Sequence, residues 1–74
     1  MNADYEKRFG EKLRAARIRA KYTQEQLAAK MQTEGCDVTR SALAKIEVGQ
    51  RHIYADEIMT VKNILKIKYE DLFE

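Results

Sequence analysis

Apolar residues recur along this chain at helical rather than strand spacing. Phe9, Leu13, Ala16 and Ala20 are separated by four, three and four positions, which aligns them as one stripe of an amphipathic helix from about Tyr5 to Ala20. Lys12, Arg14, Arg19 and Lys21 fall on its other faces. Arg17 lies beside the apolar stripe, where a charge requires a partner. The run Thr23-Gln24-Glu25-Gln26 reads as a capping box, with the Thr23 hydroxyl accepting a first-turn N–H and Gln26 reaching back. A second helix is predicted from there to about Gln32, with Leu27, Ala28 and Met31 inward and Tyr22 packed on Leu27 as a staple. Gly35, free to take a positive φ, is its stop.

Thr39 is the N-cap expected for a third helix, Arg40 to Val48, ended by Gly49. Ala42, Leu43 and Ile46 form its inward stripe; Arg40, Ser41, Ala44, Lys45 and Val48 lie on the other side. A fourth helix covers about Ala55 to Leu65, with Ile58, Val61 and Leu65 inward and Asp56 and Glu57 at its electropositive N-terminus. A short last helix, about Tyr69 to Phe73, lays Leu72 back on the bundle. The expectation is an all-α fold of five short helices in one domain spanning residues 1–74.

Composition agrees. Proline is absent and glycine occurs only three times in 74 residues, too few turn formers for an all-β domain of this size. No apolar run approaches the roughly 18 residues that span a bilayer, and the N-terminus lacks the apolar stretch of a secretory signal. A cytoplasmic protein is expected. The single Cys36 forms no internal disulfide and no zinc site by itself, so it reads as a free thiol. Net charge is only +2, but it is unevenly spread: residues 1–21 carry seven basic and three acidic groups, while residues 55–74 carry three basic and five acidic. That polarity is compatible with a polyanionic partner without requiring one. No Cys/His set, glycine-rich phosphate loop or convergent carboxylate–histidine group is visible, so no enzyme, metal or cofactor is expected.

TQEQLA followed by TRSALAKIEVGQR resembles the Cro/CI-type helix-turn-helix domain of phage lambda repressor-like and XRE-family regulators. The matching elements are Thr23-Gln24, the pair Leu27-Ala28, the Thr39 cap, and Leu43-x-x-Ile46-Glu47-x-Gly49. FGEKLRAAR and ILKIKYEDLF are similar to the family's first helix and closing segment, so the likeness runs from about residue 8 to 73. Ala28 is the small residue that close crossing of the paired helices needs. The chain departs from the pattern in three places. Six residues, Gln32 to Asp37, stand between Met31 and Val38 where the family has about one, which lengthens the turn between helices 2 and 3. Lys66 and Lys68 replace the usual helix stop and Ser/Thr cap, so that boundary is expected to fray. Tyr54 stands at the position of a short polar cap.

The resemblance implies a five-helix bundle whose motif, residues 23–48, binds double-stranded DNA as a transcriptional regulator of the repressor type. Thr39, Arg40, Ser41, Ala44 and Lys45 are the implied base readers: Arg and Lys donate to guanine edges, Ser pairs with several bases, and Ala meets a thymine methyl. Thr23, Gln24, Gln50 and Arg51 are the implied phosphate contacts. Lys12 or Arg19 is the basic residue of the first helix expected nearest DNA. The family pairs the positions of Arg17 and Glu47, so an internal ion pair is expected there. One small module makes few contacts, so a homodimer is expected, with Leu72, Phe73, Ile53 and Ile67 as candidates for its interface. No effector domain, small-molecule ligand or membrane is expected. Two further readings stay open: an antitoxin-like autoregulator, and a protein-interaction module on the same fold.

Overall fold

The computed structural model describes residues 3–73. Its helices are α1 (Ala3–Arg19), α2 (Gln24–Thr33), α3 (Arg40–Glu47), α4 (Ala55–Leu65) and α5 (Glu70–Phe73), and no strand occurs among the described residues. The caps expected at Thr23 and Thr39 form. Thr23 Oγ1 accepts from the Gln26 N–H while Gln26 Oε1 accepts from the Thr23 N–H, and Thr39 Oγ1 accepts from the Ala42 N–H. Tyr54 has no short oxygen, and α4 begins without a side-chain cap from it. Glu57 instead reaches back to accept the Tyr54 N–H.

Each of the first four helices ends on a left-handed residue: Lys21 (φ 66°), Gly35 (φ 87°), Gly49 (φ 80°) and Lys66 (φ 56°). After α1, the Lys21 N–H donates to the Ile18 carbonyl and the Tyr22 N–H to the Arg17 carbonyl; Gly35 with Cys36 and Gly49 with Gln50 repeat this closure. The arrangement satisfies the last carbonyls of a helix and reverses the chain tightly. Lys66 provides the stop expected to be missing after α4, and Asp71 accepts the Lys68 N–H, so this boundary is closed rather than frayed.

Leu13, Leu27, Met31, Val38, Leu43, Ile46, Val61 and Leu72 are the largest fully buried side chains. Three expectations are corrected. Ala20, placed on the inward stripe, is exposed, because α1 stops one residue earlier and the chain turns. Ile58 is only partly buried, while Glu57 beside it is buried. Ile53, a candidate for the dimer interface, is a core residue and Ile67 packs partly against the core; Leu72 lies back on the bundle as expected, and its full burial withdraws it from the interface candidates. The lengthened turn is no loose loop. Its first two residues extend α2 to Thr33, Cys36 and Val38 are buried, and the Gln32 side-chain amide donates to the Val38 carbonyl. The two apolar anchors let the turn add to the core.

Candidate nucleic-acid interface

The helix α3 is held on two sides by packing. Leu43 and Ile46 are buried, Ala42 is partly buried against the core, and the opposite face is left to solvent. That face carries Ser41 and Lys45, both exposed, with Ala44 half-buried, and Arg40 is exposed at the first position of the helix. Residues 41 and 45 are one turn apart. Thr39 is exposed at the helix start, with its hydroxyl oxygen engaged in the cap. Polar side chains on an outward face opposite a buried one can reach a groove surface without disturbing the core.

Beside this face lies the N-terminus of α2. A shallow groove is lined by Arg14, Tyr22, Thr23, Gln24, Glu25 and Arg40, with Arg17 behind it. The structure therefore brings Thr23 and Gln24 onto the same side as Arg40. Gln50 and Arg51 sit past the other end of α3, an eight-residue helix and so about 12 Å long. Gln50 is exposed and its N–H closes α3 on the Lys45 carbonyl. Arg51 is different: Nη1 and Nη2 donate to the two oxygens of Glu57 at 2.9 and 3.1 Å, and Nη1 also donates to the His52 carbonyl. The guanidinium also stands 5.7 Å from the Tyr54 ring centre. Burial pushes the Glu57 carboxyl up, but the Arg51 hydrogen bonds, the Tyr54 N–H and the Arg51 charge outweigh it and hold it below the usual carboxylate range. The same bonds to Glu57 raise the pKa of Arg51.

Behind the groove, Arg17 and Glu47 meet. Arg17 Nε lies 2.6 Å from Glu47 Oε2 and Nη2 lies 3.1 Å from Oε1. Both side chains are buried, Glu47 leaving only 2% of its surface exposed. Two more bonds complete the set: Arg17 Nη1 donates to the Tyr22 carbonyl, and Gln24 Nε2 donates to Glu47 Oε1. One carboxylate thus ties the end of α3 to α1 and to the first residue of α2. Gly10 makes this approach possible, since a Cβ on it would lie 2.4 Å from the Ile46 carbonyl oxygen and 2.5 Å from that of Glu47.

Some features of the site escaped the sequence reading. Arg14 lines the groove, whereas Lys12 lies on the far side of α1 against Leu72 and Phe73. The i to i+3 spacing of Arg14 and Arg17 places both near one edge of α1, a signal that was available once Arg17 was given an inward role. His52 bonds Glu6 through Nδ1 at 2.7 Å. Cys36 is a free, buried cysteine, and burial pushes its thiol up. Among the described residues no cluster of side chains suits a metal ion, and no helix is long and apolar enough to cross a membrane.

The sequence pattern of the helix-turn-helix family matches residues 13–72, from the core of α1 through α5. The chain belongs to the helix-turn-helix family. The fold comparison agrees. The restriction-modification controller protein C.AhdI from Aeromonas hydrophila superposes with a TM-score of 0.82 at 30% identity, over 96% of each chain. The DNA-binding domain of BldD superposes with a TM-score of 0.83 at 20% identity over the whole of both chains, a likeness of fold. No curated protein sequence matches the chain. The first of these is a controller protein by name, and the Cro/CI-type resemblance of the motif rests on the same residues that build the groove and the outward face of α3.

Proposed function

We propose that this helix-turn-helix protein is a sequence-specific, double-stranded DNA-binding transcriptional regulator of the repressor type that reads the major groove with α3. The observation that carries the reading is the outward face of α3, with Ser41 and Lys45 exposed opposite buried Leu43 and Ile46 and Arg40 exposed at the helix start, set beside the groove of Arg14, Thr23 and Gln24. A helix offered in this way fits the major groove while its neighbour's N-terminus meets the phosphate backbone. Thr39, Arg40, Ser41, Ala44 and Lys45 face the base edges. Thr23, Gln24, Gln50 and Arg14 meet phosphates. Arg51 lies near Gln50, but Glu57 and the His52 carbonyl engage its terminal nitrogens, so we assign it to holding the loop that carries Gln50. The protein acts as a homodimer, which doubles the contacts that one small module can make. The likeness to a restriction-modification controller supports a regulatory role over an enzymatic one.

Selection of binding sites from random duplex DNA, followed by comparison of the wild type with Arg40→Ala, tests the proposal. The expected result is one enriched sequence, with Arg40→Ala losing roughly 1–3 kcal/mol on it and relaxing preference at one base pair. No enrichment by a folded protein would remove α3 as a reader and favour an interaction module on the same fold.

A further inference from the structure

Among the described residues, Val48 is the large apolar side chain that the outward side of α3 leaves in solvent, with 56% of its surface exposed. It closes the helix and comes seven positions after Ser41, so two turns return it to the line of Ser41 to within about 20°. Lys45 and Ala44, three and four positions before it, flank that line. Both neighbours of Val48 in the chain are anchored. Glu47 turns inward to Arg17. Gly49 lies so close to α1 that a Cβ on it would come 2.9 Å from the Lys7 Cα. The Gly49 and Gln50 N–H groups also donate to the Ile46 and Lys45 carbonyls. The backbone of Val48 is thereby fixed, and its β-branched side chain adds stiffness at χ1. A lone surface valine is ordinary. A rigid one, in line with side chains that face a groove, offers a placed apolar contact.

We infer that Val48 is a specificity-determining residue that packs on the 5-methyl group of a thymine in the major groove, with the Ala44 methyl lining the same patch. The inference rests on the proposed DNA reading and deepens it by naming what the end of α3 recognises. Chemistry leaves few partners. An isopropyl group neither donates to nor accepts from a phosphate or a base edge, and the thymine methyl is the apolar group that base pairs present in the major groove. Arg40 and Val48 stand at opposite ends of α3, eight positions and so about 12 Å apart along its axis. With base pairs about 3.4 Å apart, a helix lying along the groove sets the thymine no more than about four base pairs from the pair read by Arg40. On this account α3 reads a hydrogen-bonding edge at its start and a methyl group at its end.

Deoxyuridine tests the contact, because it pairs as thymidine does and lacks only the 5-methyl group. In the site selected from random duplex DNA, each thymine is replaced in turn by uracil and binding is measured at fixed salt. For the wild type, one replacement within about four base pairs of the Arg40 position is expected to weaken binding about fourfold, the worth of one buried methyl. Val48→Ala is expected to bind the unmodified site more weakly by a similar factor and to lose most of its response to that one replacement. Its melting temperature is expected to stay at the wild-type value, since the side chain is exposed. A selected site with no thymine in that range, a wild type indifferent to every uracil there, or a folded Val48→Ala protein as sensitive as the wild type would each overturn the inference. Failure of the DNA reading shows up earlier, as absent site enrichment by a folded protein, and takes this inference with it. Failure of the inference alone leaves an enriched site at which Arg40→Ala still relaxes one base pair.

Discussion

At the scale of single residues, two carboxylates organise the region around α3. Glu47 receives Arg17 twice and Gln24 once, all within a nearly dry pocket. Removing it leaves a buried guanidinium with one carbonyl partner, so Glu47→Ala is expected to cost about 3–5 kcal/mol in urea unfolding; an unchanged midpoint would contradict this. Glu57 behaves according to its lowered pKa. A carboxyl that ionises more readily folded than unfolded contributes stability above the ordinary carboxylate range, and that contribution fades as the pH falls through its folded value. Thermal melts from neutral pH downward should show wild type and Glu57→Gln well separated at neutral pH and converging in acid. A gap that stays constant with pH would mean the pair acts by packing alone.

At the scale of elements, helix ends and helix crossings decide the architecture. Lys21 occupies a left-handed position that side chains rarely favour. Lys21→Gly relieves that strain outside α1, though it also loosens the unfolded chain, and a net gain of about 0.5–1 kcal/mol is expected. A melting temperature raised by a few degrees, on the order of 3–6 °C, checks it. Gly10 gives the opposite lesson. Within a helix Ala is better than Gly by about 1 kcal/mol, so propensity alone favours Gly10→Ala. Its Cβ would press into two carbonyl oxygens at the end of α3, and such overpacking costs about 1–3 kcal/mol. Because the obstacle is backbone, the crossing should win, and chemical denaturation should find Gly10→Ala destabilised.

At the scale of the whole molecule, the basic N-terminal third and acidic C-terminal end serve different surfaces. Arg14 and Arg40 line the groove next to α3, while Glu70 and Asp71 lie on α5 across α1. On the proposed function this polarity should appear in salt titrations of DNA binding. Arg14→Ala is expected to flatten the slope of log K against log salt by about one unit, as for one lost phosphate contact, with little change in melting temperature. Arg51→Ala is expected to do the reverse, lowering the melting temperature through the loss of its bonds to Glu57 while leaving the slope intact. Equal effects of the two on the slope would return Arg51 to the phosphate contacts.

The sequence by itself determined what depends on neighbours in the chain. Helix periodicity, the Thr23 and Thr39 caps and the Gly35 and Gly49 stops are local, because each bond joins residues close in the chain, and all of them form as expected. The face of α3 was legible for the same reason: Leu43 and Ile46 can be buried only by turning Ser41 and Lys45 outward, while Arg40 is exposed at the first position of the helix. Tertiary structure decided what depends on distance in space. Ile53 joined the core instead of a surface, since an apolar residue carries no mark of which apolar neighbour will cover it. Glu57 became buried because Arg51, six positions away across a turn, came within bonding distance. Gly10 was needed only once α3 arrived 30-odd residues later to press against it. The lengthened turn, conspicuous in the sequence, is packed rather than loose, because Cys36 and Val38 found places in the core.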